Sequence, residues 1–354
     1  MTERRRELEN LRRQLAEGDA EILRVLLRRA KLARQIGELA QGSAASAVGE
    51  HELLRSLEQM AADELPPEVV TDVFRAIHAA TAPLERPARV AFVLPEGGFC
   101  QLAAQQRFGL GANFMAVESP ELAIEEVRRR RADLAVFAFE SSLEGPLQAS
   151  VEALSATEMS LSAKIELAAV RSVMSKAGNL AEIQKLYCYG PDRLACQRYV
   201  ASLENVAIVD VRSPWVACQM CLEDPTGAAI VPQAAGERAG LGVLQTNVSD
   251  RADLRIRYAV ASARPSHRSG ADTTAIIFGV HDQPGALFDV LRHFAERGIN
   301  LKTLQSRPAN GDSWNYVFYV EVSGHVTDRA LVTALEEIKR QTRLLKVLGS
   351  FPSC

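Results

Sequence analysis

One long amphipathic stretch at the start of the chain constrains the fold more than any other feature. Between residues 3 and 40, apolar side chains such as Leu8, Leu15, Ile22 and Leu39 recur every three, four or seven positions. This spacing is typical of a single α-helix with one apolar side. A helix of about 38 residues spans nearly 60 Å, more than a domain of roughly 85 residues covers alone. We therefore expect the helix to pair with its copy in a second protomer, forming a homodimer.

The helical pattern continues for the next 45 residues. After a polar loop, helices are predicted over 49–61 and 67–82, the second with proline at its first position. Two further prolines then end the pattern. Residues 1–86 are predicted to form an all-α domain.

From residue 87 onward, short apolar strands alternate with helices. Strands are predicted at 90–94, 114–117, 134–139, 165–173, 185–189, 206–211, 228–231 and 254–262. Such alternation is typical of βαβ units with a largely parallel sheet. We expect residues 87–265 to form a two-lobed α/β domain with a ligand cleft at the strand ends.

The last segment shows a third pattern. After a polar linker, the elements over 272–354 follow the order βαββαβ, with strands predicted at 274–280, 300–305, 315–323 and 344–350 and helices at 286–297 and 328–341. This is the order of an α+β ferredoxin-like domain.

Composition excludes several classes of protein. A formal net charge of −3 provides no electrostatic footprint for nucleic acid or an anionic membrane. The charged N-terminus does not resemble a signal peptide, and a cytoplasmic location is expected.

Cys218 and Cys221 form one CxxC pair without a second pair, and we interpret them as two thiols on a helix. No metal or cofactor is expected.

Short motifs in all three regions resemble one family. Leu11-Arg12, Leu26-Leu27-Arg28-Arg29 and Ile36-Gly37 resemble the first helix of the all-helical chorismate mutases. The central region resembles prephenate dehydratase, with its motifs at 94–99, 140–145, 189–196 and 256–258. The end resembles an ACT domain, through Gly285-Ala286-Leu287 and Gln305-Ser306-Arg307-Pro308. This order is that of the bifunctional chorismate mutase–prephenate dehydratases, which serve L-phenylalanine biosynthesis within the shikimate pathway.

For the mutase, the resemblance implies that Arg12, Arg29 and Glu50 hold chorismate. Paired guanidinium groups suit a dicarboxylate, although by spacing alone the two arginines are also ordinary residues of an exposed helix. Arg12 is rotated away from Arg29 and is expected to serve the partner's site. The family lysine at the breaking ether oxygen corresponds to Ala40. Since a missing cation at developing charge costs about a hundredfold in rate, we expect weak or absent mutase activity.

For the dehydratase, the resemblance implies catalytic roles for Glu140, Ser141, Ser142, Gly145 and Arg257. The family threonine that would protonate the leaving hydroxyl corresponds to Ile256, which has no proton to donate. Ser141 and Tyr189 are candidate replacements. Arg257 is expected either to hold a substrate carboxylate or to form an ion pair at a strand end.

For the ACT domain, the resemblance implies that L-phenylalanine is the effector. The candidate binding residues are Gly285, Ala286, Leu287, Gln305, Ser306, Arg307 and Pro308. Small residues before a helix start allow close backbone approach and can receive a carboxylate. The alternative is a purely structural dimerisation module.

Three functions therefore remain open. The first is an allosterically regulated lyase and isomerase acting on chorismate and a prephenate-like acid. The second is a non-catalytic protein that senses L-phenylalanine. The third is a prephenate decarboxylase-like enzyme, since loss of the donor at Ile256 with retention of Arg257 favours loss of carbon dioxide alone.

Overall fold

The computed structural model describes residues 3–39, 56, 57, 60, 65–85, 87–281, 283–309 and 312–353. Two compact units are present. One comprises residues 1–88 and 106–113, and the other residues 89–105 and 114–354. Among the described helices, none combines the length and apolar character needed to cross a membrane.

The first unit is built on two helices, α1 (Glu3–Leu39) and α2 (Pro67–Glu85). The prediction of one long first helix is confirmed, and α2 begins at the predicted proline. Ala33 and Val70 are buried where the two helices meet. Most of the predicted helix over 49–61 lies outside the described residues.

The apolar side of α1 is largely uncovered by the part of the chain that the structure describes. Nine of its large apolar residues are 47–70% exposed: Leu8, Leu11, Leu15, Ile22, Leu23, Val25, Leu27, Leu32 and Ile36. Helices in proteins gain most of their stability from packing of an apolar face. This side of α1 is therefore available to pack against another surface.

The second unit begins with a six-stranded sheet in the order β2-β1-β3-β11-β5, with β4 paired to β3. Its strands are β1 (Arg89–Val93), β2 (Asn113–Val117), β3 (Leu134–Ser141), β4 (Gly145–Pro146), β5 (Ser160–Ala168) and β11 (Arg255–Ser262). β1 and β3 run parallel, but β11 is antiparallel to both β3 and β5. The expectation of a largely parallel sheet is therefore wrong, because the chain returns from the second lobe through β11 in the opposite direction.

The second lobe contains a five-stranded sheet in the order β10-β6-β9-β7-β8. Its strands are β6 (Arg171–Ser175), β7 (Lys185–Tyr189), β8 (Ala207–Val211), β9 (Gly227–Pro232) and β10 (Gly242–Gln245). β7, β8 and β9 are parallel, whereas β6 and β10 are antiparallel to their neighbours. The strand predicted over 165–173 is in fact two strands in different sheets, because the chain passes between lobes at Ala169 and Val170 without a turn-forming residue.

Helices cover both sheets. They are α3 (Phe99–Phe108), α4 (Pro120–Arg128), α5 (Gln148–Ser155), α6 (Gly190–Leu194), α7 (Gln197–Ala201), α8 (Pro214–Glu223) and α9 (Gln233–Ala239). The predicted start of α4 is confirmed, since Ser119 Oγ accepts from the amide of Leu122 at 3.3 Å. A side-chain cap of this kind satisfies one of the free amides at a helix start.

The C-terminal region has the predicted βαββαβ order. It consists of β12 (Asp272–Gly279), α10 (Ala286–Ala295), β13 (Leu301–Ala309), β14 (Asp312–Ser323), α11 (Arg329–Gln341) and β15 (Leu344–Pro352). The sheet order is β13-β14-β12-β15. Ile276 and Phe278 pack with the helices on one side. Ile277 and Tyr319 pack on the other side against Phe139 and Leu161 of the first lobe, so this sheet shares a core with the α/β region.

Candidate active site

Arg257 lies on β11 between two carboxylates that belong to the neighbouring strands. Its register partners are Glu140 on β3 and Glu166 on β5. Nε of Arg257 donates to Glu166 Oε2 at 2.9 Å, and Nη1 lies 3.4 Å from Glu140 Oε2. The hydrogen bond from Arg257 lowers the pKa of Glu166, although burial acts in the opposite direction. Adjacent strands thus hold the guanidinium in one orientation.

One edge of this guanidinium remains open. Among the residues that the structure describes, none accepts a hydrogen bond from Nη2 of Arg257, and its side chain is 41% exposed. Nη2 carries two hydrogens, so it can donate to a carboxylate while Nε and Nη1 keep their partners. The expected strand-end ion pair is present, and the open edge leaves room for a substrate carboxylate as well.

The remaining residues of the E-S-S-x-x-G motif lie at the same end of the sheet. Ser141 Oγ accepts from the amide of Leu143 at 3.2 Å, and Ser142 Oγ accepts from the amide of Arg255 at 3.1 Å. These contacts shape the turn that joins β3 to β4. The structure therefore brings Glu140, Ser141, Ser142, Gly145 and Arg257 to one end of the sheet. Consecutive residues point to opposite faces, so Arg257 and Glu140 lie on one face and Ser141 lies with Ile256 on the other.

Gly145 adopts a φ of +69° and pairs with Ser141 across the turn. Its Cα faces the side chain of Gln305 on β13. A residue of the predicted effector motif therefore touches the predicted catalytic motif within one chain. The sequence contained no signal for this contact.

Lys164 on β5 also belongs to this cluster, although no motif indicated it. Its Nζ lies 3.1 Å from Glu140 Oε2 and also contacts Glu321 Oε1 on β14. The lysine side chain is only 2% exposed. A buried ammonium group between two carboxylates satisfies the requirement that buried charge be paired.

A second polar group lies in the buried part of the second lobe. Arg171 Nε donates to Asp192 Oδ1 at 2.6 Å, and the Arg171 guanidinium stacks 4.9 Å from the ring centre of Phe99. Burial raises the pKa of Asp192, against the opposing effect of Arg171. Phe99 belongs to α3 of the first lobe, so this stacking ties the two lobes together beside the buried Tyr258.

The mutase candidates lie in the first unit. Arg29 on α1 donates to Thr81 Oγ1 on α2, and Thr81 in turn donates to the carbonyl of Ile77 at 2.9 Å. Arg12 is exposed on the same helix, about 25 Å from Arg29 along the helix axis. One chain does not bring the two arginines together. Glu50 lies outside the described residues.

The effector candidates lie on two elements of the C-terminal sheet. Gly285, with a φ of +85°, directly precedes α10, and the amide of Ala286 donates to the carbonyl of Gln283 at 3.2 Å. Leu287 packs against the helix side of the core. The other four residues, Gln305, Ser306, Arg307 and Pro308, lie on β13. The side chains of the last two lie outside the described residues.

The CxxC pair lies on α8 with both thiols buried, which confirms its interpretation as two thiols on a helix. Burial raises the pKa of Cys218 to about 12, so it stays protonated. Among the described residues, no group of three histidine, cysteine or acidic side chains is arranged to hold a metal ion.

Three family models match the chain in sequence order. Chorismate mutase type II matches residues 11–86, prephenate dehydratase residues 90–266, and the ACT domain residues 274–340. The second match covers the cluster around Arg257.

Similar proteins include bifunctional enzymes and a single prephenate dehydratase. A bifunctional chorismate mutase/prephenate dehydratase from Aquifex aeolicus is 32% identical over 98% of both chains. Another from Neisseria gonorrhoeae is 30% identical over 95% of this chain and 94% of its own. Among solved structures, a prephenate dehydratase from Arthrobacter aurescens in complex with L-Phe is 29% identical. It covers 75% of this chain and 89% of its own, with a TM-score of 0.63.

Proposed function

The chain belongs to the family of bifunctional chorismate mutase/prephenate dehydratases, and from this premise we propose that it acts on prephenate in the α/β region. The reaction removes hydroxide and carbon dioxide and leaves phenylpyruvate. The observation that carries the proposal is Arg257, which adjacent strands hold with one exposed, unpaired edge. This edge binds a substrate carboxylate at the strand end, where the E-S-S-x-x-G turn brings both faces of the sheet within reach of one substrate.

The proton donor for the leaving hydroxyl is Ser141. Ile256 occupies the position of the family threonine, and Ser141 is its register partner on β3. Directly opposed residues of antiparallel strands have neighbouring side chains. Ser141 Oγ accepts from the Leu143 amide, which leaves the hydroxyl hydrogen free to donate. General acid catalysis of this kind contributes about a hundredfold or more to a rate.

The helical region acts on chorismate, as a homodimer. Arg29 is oriented by Thr81, whereas Arg12 lies far along the same helix and serves the site of the partner protomer. The uncovered apolar side of α1 supports this pairing. We expect slow mutase turnover, because Ala40 supplies no cation to the ether oxygen.

L-phenylalanine binds at the ACT domain and controls the dehydratase step. The left-handed turn at Gly285 and the helix start at Ala286 are suited to receive the amino acid's carboxylate. The solved dehydratase from Arthrobacter aurescens that contains L-Phe supports this choice of effector.

A cytoplasmic location suits this chemistry. The five cysteines whose side chains the structure describes are free thiols. Proteins with only free thiols are typical of reducing compartments.

The test is product analysis by mass spectrometry after incubation with prephenate in mildly alkaline buffer, with a control lacking protein. Phenylpyruvate above control is expected, and Arg257→Gln should raise KM. Arg251→Gln is the matched control, because Arg251 pairs with Asp253 and touches neither Arg257 nor its carboxylate partners. A product that has lost carbon dioxide but kept its hydroxyl would support a decarboxylase instead.

The second candidate function is a sensor without catalysis. The observation that favours it is Ile256, which removes the donor found in the family motif. Unchanged prephenate, together with a rise in Tm on addition of L-phenylalanine, would identify this function.

A further inference from the structure

A buried lysine joins the ACT sheet to the candidate active site. Lys164 contacts Glu140 of the catalytic motif at 3.1 Å and Glu321 of β14. The rings of Phe139 and Phe351 lie 5.2 and 5.3 Å from its Nζ. An ammonium group at such a depth is stable only while its carboxylate partners stay in place.

These contacts extend the pairing around Arg257 into a continuous row of charges. The row alternates in sign and runs through Glu166, Arg257, Glu140, Lys164 and Glu321. Tyr319 ends it, donating its hydroxyl to Glu321 Oε1 at 2.5 Å. Burial and the charge of Glu321 raise the pKa of Tyr319 well above its usual value, so it remains a donor.

The ACT end of the row is connected to the effector motif. Glu321 is the register partner of Thr303 on β13, two residues before Gln305. A displacement of β13 or β14 therefore changes the position of Glu321 relative to Lys164. Since Lys164 shares its charge between Glu321 and Glu140, this changes how strongly Glu140 attracts Arg257.

We propose that Lys164 is a positioning residue that fixes Arg257 through Glu140 and transmits the state of the ACT sheet to the substrate site. The inference rests on the proposed function for its two ligands, prephenate and L-phenylalanine. In the state without effector, Lys164 neutralises Glu140 and leaves the Nη2 edge of Arg257 for the substrate. When Glu321 moves away, Lys164 no longer shares its charge with Glu321, and the attraction between Glu140 and Arg257 changes.

The test compares three variants of the full chain. Lys164→Met removes the cation, and Glu321→Gln separates the ACT end while keeping the shape of the side chain. Lys346→Met is the matched control, because Lys346 on β15 also reaches the first lobe, donating to the carbonyls of Ser155 and Thr157. It touches no member of the row.

The readouts are steady-state kinetics with prephenate, calorimetric binding of both ligands, and hydrogen exchange over residues 134–146. Lys164→Met should raise KM for prephenate about tenfold with kcat little changed, the pattern of lost binding. Glu321→Gln leaves the charge of Lys164 to Glu140 alone, so it should move KM for prephenate toward the value measured with L-phenylalanine present and lose about fivefold or more of the response to L-phenylalanine. Lys346→Met should keep the wild-type kinetics with prephenate and the wild-type response to L-phenylalanine.

Hydrogen exchange distinguishes a failure of this inference from a failure of the proposed function. A wild-type protein that turns over no prephenate contradicts the proposed activity. The row is still supported if L-phenylalanine changes exchange over 134–146 in wild type and not in Glu321→Gln. Unaltered exchange in wild type, or an equal loss in Lys346→Met, overturns the inference.

Lys164→Met also leaves two carboxylates without their cation. If Lys164→Met does not fold for this reason, Glu321→Gln provides the decisive result. If L-phenylalanine does not bind, the transmitting role is wrong, and Lys164→Met then tests the positioning role through prephenate affinity.

Discussion

Gly145 and Gln305 are in direct contact although 160 residues separate them. A Cβ at position 145 would lie 2.6 Å from Cδ of Gln305 and closer still to Nε2. Gly145 also has a φ of +69°, which side-chain-bearing residues rarely adopt. The backbone therefore favours glycine where the ACT sheet meets the predicted catalytic turn, and any added side chain would have to displace the terminal amide of Gln305.

We predict that Gly145→Ala destabilises the protein by about 2–3 kcal/mol, the sum of left-handed backbone strain and about 1 kcal/mol for displacing the Gln305 amide. The matched control is Gly240→Ala. Gly240 has a φ of +85°, and an added Cβ would meet nothing within 4 Å. That variant should lose only about 1–2 kcal/mol. The free energies of unfolding come from urea titration.

Truncating Gln305 should remove the steric part of the destabilisation by Gly145→Ala and leave the backbone strain. Gly145→Ala in a Gln305→Ala background is expected to cost about as much as Gly240→Ala, a coupling that a double-mutant cycle measures. Equal costs of Gly145→Ala with and without Gln305 would show that the two residues do not press on each other.

The order of elements was predictable, whereas the pairing of charges was not. Apolar periodicity located α1 and the βαββαβ order because each depends on local spacing. Lys164 meets Glu321 across 157 positions, and nothing near either residue indicates a buried partner. The split between β5 and β6 was missed for a related reason, since the apolar run through Ala169 and Val170 contains no residue that favours a turn.

The predicted catalytic motif shows the same limit. The resemblance placed Glu140 and Arg257 in one site, and the register of β3 and β11 does bring them together. It did not indicate Glu166, because only the antiparallel return of β11 beside β5 gives Arg257 a second carboxylate. Partners that depend on strand order are inaccessible without the sheet topology.

Ser141 provides a test of the replacement proton donor. We predict that Ser141→Ala lowers kcat for prephenate by about a hundredfold, because the general acid is removed. Adding Ile256→Thr to this variant should restore part of the rate, since residue 256 lies directly opposite residue 141. Ser162→Ala is the control, because the hydroxyl of Ser162 on β5 already donates its proton to the carbonyl of Val260. An unchanged kcat in Ser141→Ala would assign the donor to another group.

The lowered pKa of Glu166 predicts that the stability of the protein depends on pH. Its pKa is lowered from 4.5 by the hydrogen bond from Arg257. A lowered pKa in the folded state means stability that is present above pH 4.5 and lost as pH falls through the folded value. Glu166→Gln should therefore cost up to about 1 kcal/mol near neutral pH after solvent screening. The difference from wild type should shrink in acid.

The measurement is urea unfolding of wild type and Glu166→Gln across this range. Glu144→Gln is the control, because Glu144 is exposed on the neighbouring turn. A difference for Glu166→Gln that stays constant with pH would mean that the charge of Glu166 contributes nothing to stability.

Because one apolar side of α1 is uncovered, we predict a homodimer that charged substitutions on this side disrupt. Leu15 and Ile22 are 70% and 59% exposed in one chain, and they lie seven residues apart on one side of the helix. In a dimer these side chains become buried, so Leu15→Lys combined with Ile22→Lys places unpaired charge in the interface. We expect wild type to sediment as a dimer at micromolar concentration and the double variant as a monomer. Val243→Lys, at an exposed apolar position on β10, should leave the dimer intact. A monomeric wild type would contradict the proposed pairing, and with it the assignment of Arg12 to the partner's site.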